Sequence, residues 1–262
     1  MPLSRSVLSI LLSTLISVSL FAQQTSTRAS AMLQQALLTL SPSVSISDVT
    51  LSGSARRIAG SDDETGTVTL EAMAGGAARM DANFSSGQRG EIQNLLNGPP
   101  TGAWSGPDSV SHPIAHHNLM TDPSWFFPAL VISRVISTSS YATAYVGQES
   151  RHGQAVQHVQ VWQVSSIQTP SSVITLQHLS QMDLYLDSTT MLPAALTFSV
   201  HPDNNMGLDI PVEIRFSDYR PISGTQVPFR VQKYLNNSIA LDLQFQTAIL
   251  NSGLTANSFT VQ

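Results

Sequence analysis

The side chains able to do chemistry are few and widely spaced. His112, His116 and His117 fall in the stretch SHPIAHHN. His112 and His116 stand four apart, a spacing that offers two imidazoles to one metal ion if the segment is helical. Pro113 and its turn-forming neighbours argue against a regular helix, and the nearest acids in sequence are Asp108 and Asp122. The stretch therefore reads as a solvated loop, and no metal site is expected. His152, His158, His178 and His201 are scattered, and His158 takes one side of a strand. Asp62-Asp63-Glu64 is the densest acidic run, and it reads as a solvated hairpin tip before it reads as a Ca²⁺ loop. No Gly-x-Ser-x-Gly elbow is present. A serine–lysine pair three apart is ruled out, because Lys233 is the only lysine and Arg230 stands three positions before it. There is no His-Glu-x-x-His and no phosphate loop. Nothing in sequence points to paired carboxylates for sugar hydrolysis. The expectation is a protein that is not an enzyme and carries no cofactor.

Composition narrows the classes further. The formal net charge is −5, and charged residues make up 11% of the chain, against roughly 25% in an ordinary soluble domain. No basic stripe exists to neutralise a phosphate backbone, so nucleic acid is not an expected partner. Adhesion to anionic headgroups is disfavoured for the same reason. The cysteine count is zero, which removes disulfides, thiolate catalysis and a lipid attached to an N-terminal cysteine. Asn83-Phe84-Ser85 and Asn236-Asn237-Ser238 match the glycan acceptor pattern, a match short enough to arise by chance.

Residues 1–22 read as a secretory signal peptide. Arg5 supplies the basic start, Val7–Leu20 the apolar run and Ala22 the small residue before the polar QQTSTRAS. The run falls short of the roughly 20 apolar residues a spanning helix needs. The expected location is the periplasm or the exterior. Residues 23–262 are then one domain, large enough to be held by its own core.

The positioning elements are mostly strands. Val212, Ile214 and Phe216 alternate with Glu213, Arg215 and Ser217, and Val227, Phe229 and Val231 repeat the pattern after a turn. Ile239, Leu241, Leu243 and Phe245 give the cleanest alternation of all. Such strands have one dry and one wet face. Further candidates are 49–58, 65–73, 77–84, 88–96, 141–148, 154–164, 182–187 and 194–200, joined by short turn signals that imply antiparallel hairpins. Residues 97–109 are punctuated by Gly and Pro and read as loop or very short strand. A polar connection over 165–177 has room for a short helix.

Two helices are expected. Met32, Leu33, Ala36, Leu37 and Leu40 form one apolar stripe over 29–40, and Ser41-Pro42 stops it. Residues 121–136, TDPSWFFPALVISRVI, are apolar nearly all round, with Pro123 in the first turn and Pro128 expected to kink the helix. A helix without a wet face must be buried on more than one side. A two-sheet sandwich has no place for it, whereas the hollow of a curved sheet does. The fold class is therefore mainly β with α: an antiparallel curved sheet, a half-barrel of about ten or eleven strands, covered by two apolar helices. Helices that do not fill the hollow leave an apolar cavity. Its candidate lid and lining residues are Trp125, Phe126, Phe127, Leu130 and Val131 on the second helix and Phe216, Phe229 and Phe245 on the strands.

The order of signal peptide, helix, meandering strands, aromatic helix and more strands resembles the LolA/LolB/LppX-like superfamily of periplasmic lipoprotein carriers. The C-terminal third carries most of the likeness: MDLYLDSTTMLPAALTF, then RFSDYRPISGTQVPFRV, then a long strand closing at NSGLTANSFTVQ. The resemblance implies an open barrel lined with apolar side chains, lidded by helices, that receives a lipid or the acyl chain of a lipoprotein. It also implies transient contact with a membrane or a membrane protein. The carriers keep a buried arginine that governs lid closure, and Arg134 is the candidate for it by context. The SDDETG and Gly/Pro-rich inserts place the chain on a distant branch. The other reading is a structural or interaction module whose core is filled by its own side chains.

Overall fold

The computed structural model describes residues 5–96, 98–166 and 169–261, with side chains from Gln23 onward. The side chains of the expected leader thus lie outside the described residues. Helix α1 (Arg5–Leu40) ends in the expected amphipathic stretch. Ala29, Leu33, Ala36 and Leu40 lie on one face and are fully buried, as their spacing of three and four requires.

Six strands follow: β1 (Asp48–Ala59), β2 (Asp62–Met73), β3 (Ala77–Phe84), β4 (Gly87–Asn94), β5 (Thr101–Ser105) and β6 (Ser111–Pro113). A 3-10 turn at His116–Leu119 leads to helix α2 (Pro128–Ser137). Next come β7 (Tyr141–Arg151), β8 (Gln154–Gln163), helix α3 (Pro170–Ser180), β9 (Met182–Asp187) and β10 (Pro193–Val200). The chain closes with β11 (Ile210–Ile222), β12 (Thr225–Leu235) and β13 (Ser238–Leu250).

All thirteen strands form one antiparallel sheet in the order β6-β5-β4-β3-β2-β1-β13-β12-β11-β10-β9-β8-β7. Every neighbouring pair is a hairpin or a sequential pair except β1 with β13, which joins the two halves in register from Val49↔Leu250 to Arg57↔Leu241. This ordering decides where the second helix goes. Strands β6 and β7 are consecutive in the chain yet lie at opposite edges of the sheet. The connection between them must cross the concave side, and it carries α2 with it. Helix α1 packs there too, against α2, β7, β8 and β12.

The dry faces meet those helices. One apolar cluster joins Leu33 and Leu40 of α1, Phe126, Phe127 and Leu130 at α2, and Leu51, Leu70, Leu184, Ile214, Val231 and Phe245 of the strands. Each large side chain buried this way stabilises the fold by roughly 1.5–3 kcal/mol.

Three departures from the sequence reading have physical causes. Pro128 does not kink a helix begun at Thr121; it starts α2 at the first position. Proline disfavours helical geometry in the residue before it, and Phe127 sits at φ −132°, ψ 86°. Residues 121–127 are consequently irregular turns. The strand number exceeds expectation because β5 and β6 are too short for alternation to show. The short helix for which the polar connection has room does form, but α3 runs on to Ser180, past the expected end at Gln177; Thr169 and Ser172 make its capping box and Pro170 occupies the first turn.

Candidate functional site

The helices occupy only part of the trough. Beside them lies an open groove of about 470 Å³ on the concave face. Ala55, Val68, Ala82, Phe84, Val212 and Leu243 are among its walls, so strands from both halves of the sheet contribute. Its strands alternate, so one face of each presents apolar side chains to the groove while the other faces solvent. A smaller pocket of about 220 Å³, reaching to Trp125, Asn118 and His201, shares Glu91, Val200 and Lys233 with the groove.

The nine residues singled out from sequence come together, but in the packed part of the trough. Phe126 and Phe127 are 1% and 0% exposed, and Leu130, Val131, Phe216, Phe229 and Phe245 are buried with them in the same cluster. Trp125, edge-on to Phe126 at 5.6 Å between ring centres, reaches the smaller pocket. None of the nine lines the larger groove. They form the plug; other residues form the walls.

Arg134 is the buried cation of the lid region. Its Nε lies 3.1 Å from Asp122 Oδ2, with side chains 10% and 1% exposed respectively. Its Nη2 donates to Tyr141 Oη at 2.8 Å. Burial works against its charge, but Asp122 and Tyr141 outweigh that and hold the guanidinium above its ordinary pKa. Burial in turn pushes the Tyr141 phenol up. Asp122 Oδ1 also accepts the backbone N–H of Ser124 at 2.8 Å. The turn before α2, the helix itself and the start of β7 are thus tied at one point. Gly76, at φ +94° in the β2–β3 hairpin, closes over Arg134; a Cβ there would overlap Nη1.

Lys233 stands out in the sequence only as the single lysine, yet its phase also marks its place in the site. It falls in phase with Val227, Phe229 and Val231 and therefore on the dry face of β12. Its Nζ stands 4.7 Å from the centre of the Trp125 ring, a cation–π contact at the junction of groove and smaller pocket. Arg57 and Arg89 also line the groove; Arg57 Nη1 lies 3.3 Å from Glu64 Oε2 and Arg89 Nη2 donates to Ser86 Oγ at 3.3 Å.

The histidines regroup as well. His112 stacks on Trp104 at 4.4 Å, whereas His117 stands edge-on to His201 at 5.8 Å and His178 tilts against His201 at 5.3 Å. Asp209 Oδ1 lies 3.0 Å from His201 Nε2 and 3.3 Å from His178 Nε2. His117 and His178 reach His201 from 84 and 23 positions away, meetings that no spacing rule reveals.

A curved antiparallel half-barrel with helices laid across its concave side and an apolar groove left beside them is the LolA-like fold. One of the solved structures it superposes on carries that name. A LolA superfamily protein from Nitrosomonas europaea matches at TM-score 0.54 and 15% identity, over 88% of this chain and 97% of its own. A DUF1329 family protein from Desulfovibrio piger matches at TM-score 0.54 and 12% identity, over 91% and 99%. A domain described as an outer membrane lipoprotein-sorting protein, from Vibrio parahaemolyticus, matches at TM-score 0.54 and 12% identity, over 88% and 97%. At these identities the likeness is one of fold. No family model and no curated protein matches the sequence. Among the described residues, no helix is long and apolar enough to cross a membrane.

Proposed function

We propose that the protein is an exported binding protein that shelters a hydrophobic ligand, a lipid or the acyl chain of a lipid-modified protein, in the concave groove. The observation that carries the reading is the groove itself. About 470 Å³ walled mainly by apolar side chains remains open on a face that the two helices cover only in part. Clefts of roughly 300–1,000 Å³ with a few placed polar groups are the size class that takes small molecules. Its lining holds the cations Arg57, Arg89 and Lys233 against the single carboxylate Glu91. That balance suits an acyl chain with an anionic head. Trp125 and Lys233 stand where the groove would deepen toward the plug, and movement of α2 would lengthen it at the expense of core contacts. Empty and loaded states then compete for the same apolar surface.

The second reading, an interaction module with a self-filled core, draws on the packing of the eight apolar lid and cavity candidates into one cluster. Native mass spectrometry of freshly purified protein separates the two: co-purified lipid supports the carrier, a clean apo mass the module. The direct test is titration with a fluorescent fatty acid. Saturable binding by the wild type is expected, with an altered uptake in Trp125→Ala and at least a tenfold loss in Leu241→Asp, which sets a carboxylate into the groove wall. Failure of the wild type to bind the probe at all would overturn the reading.

A further inference from the structure

We propose that His178, His201 and Asp209 form a binding site for a divalent transition metal of the zinc class. The three donor atoms, two imidazole nitrogens and one carboxylate oxygen, all lie within 4.8 Å of one another. The two imidazole–carboxylate separations are 3.3 and 3.0 Å. Ligands about 2.0–2.2 Å from a tetrahedral ion stand roughly 3.3–3.6 Å apart, so small side-chain shifts bring the three donors round one ion. Two imidazoles with one carboxylate suit zinc and its neighbours in the first transition row, whereas the hard oxygen shells of Mg²⁺ and Ca²⁺ do not match this donor set.

The three residues come from separate elements. His178 lies in the last turn of α3, His201 directly follows β10, and Asp209 directly precedes β11. The β10–β11 register, which pairs Val200 with Ile210, sets His201 and Asp209 opposite each other, and the tertiary fold brings His178 to them from α3. The His201 side chain is 1% exposed, and among the described residues its Nδ1 has no hydrogen-bond partner. A ring this deeply buried is normally satisfied on both nitrogens. Here Nε2 is the nitrogen turned to Asp209, so Nε2 is the donor offered to the ion, and the unpaired Nδ1 takes no part in the site. His178 and Asp209 are 40% and 51% exposed, which gives an ion a path from solvent and leaves room for water in the remaining coordination positions.

The site stands at the foot of the lid connection. Asn118 donates to the His201 carbonyl at 2.7 Å and accepts from the His201 backbone N–H at 2.8 Å. His117 places its Nε2 3.2 Å from the Pro202 carbonyl. An ion held by His201 would clamp α3 and the β10–β11 loop to the segment that leads into Trp125 and α2. This inference is independent of what occupies the groove.

The test is calorimetric titration of metal-stripped, full-length protein with zinc chloride, together with its melting curve with and without zinc. One ion per chain and a raised Tm are expected for the wild type and for His112→Ala, whose ring stacks on Trp104 away from the site. His178→Ala and Asp209→Asn, both at exposed positions that leave the core intact, should each weaken binding at least tenfold and abolish the rise in Tm. Absence of stoichiometric binding in the wild type, or binding unchanged in both variants, would overturn the assignment.

Discussion

Replacing Arg134 by methionine tests how α2 and the turn before it are anchored. The guanidinium lies 3.1 Å from Asp122 Oδ2, with both side chains nearly removed from solvent. At an effective dielectric of about 20, charges at that separation attract by roughly 5 kcal/mol, most of which offsets the cost of burying them. Removing the cation leaves the Asp122 carboxylate buried with the Ser124 N–H as its hydrogen-bond donor. The expected loss is about 3–5 kcal/mol, the range seen when one partner of a buried pair is deleted. For a chain of this length that corresponds to a fall in Tm of roughly 6–20 °C. Asp122→Asn alone should destabilise less, because the amide keeps an oxygen for the Ser124 N–H. The double variant should be clearly more stable than the sum of the two singles predicts, since no charge is then left unpaired. Urea denaturation followed by tryptophan fluorescence measures all four proteins. If Arg134→Met unfolds within about 1 kcal/mol of the wild type, or if the two changes simply add, the pair is not the anchor described.

Two further outcomes follow from the same geometry. Gly76→Ala places a methyl against the Arg134 guanidinium at a backbone φ of +94° and should cost about 1–3 kcal/mol, whereas Gly153→Ala, also at positive φ but in open space, should cost less; equal losses in urea would remove the role given to Arg134 in closing the hairpin. On the convex face, burial opposes the charge of Glu213, but Arg215, His152 and Arg151 prevail and hold its carboxyl at about 2, below its ordinary 4.5. The stability this contributes is complete above pH 4.5 and is lost as pH falls toward 2, so Glu213→Gln should flatten that part of the acid-unfolding curve.

The strands were legible because a half-buried sheet writes its two faces into alternate residues. Val212, Ile214 and Phe216 needed no other context, and their burial beside the more exposed Glu213 and Arg215 follows the sequence pattern. Helix α1 was legible through Leu33, Ala36 and Leu40 for the same reason at a different period. The start of α2 was misjudged because a proline near the beginning of an apolar run reads equally as a kink or as a first turn. Which holds depends on whether the preceding aromatics coil or turn, and here Trp125, Phe126 and Phe127 turn so as to fill the trough. Lys233 was visible as a break in the dry face of β12, yet its meaning required Trp125, more than a hundred residues away.

The sequence by itself determined the periods, the turns, the absence of familiar catalytic motifs and the existence of two apolar helices that had to be buried. These are local matters, settled by which side chains can share one face. Tertiary structure alone decided that β1 pairs with β13, and with it that β6 and β7 end at opposite edges so that α2 must cross between them. It likewise decided which apolar residues became plug and which became wall, and it brought His178 to His201 and Asp209. Such meetings depend on the closure of long loops and on how much volume two helices occupy inside a curved sheet, and neither quantity is written in neighbouring residues.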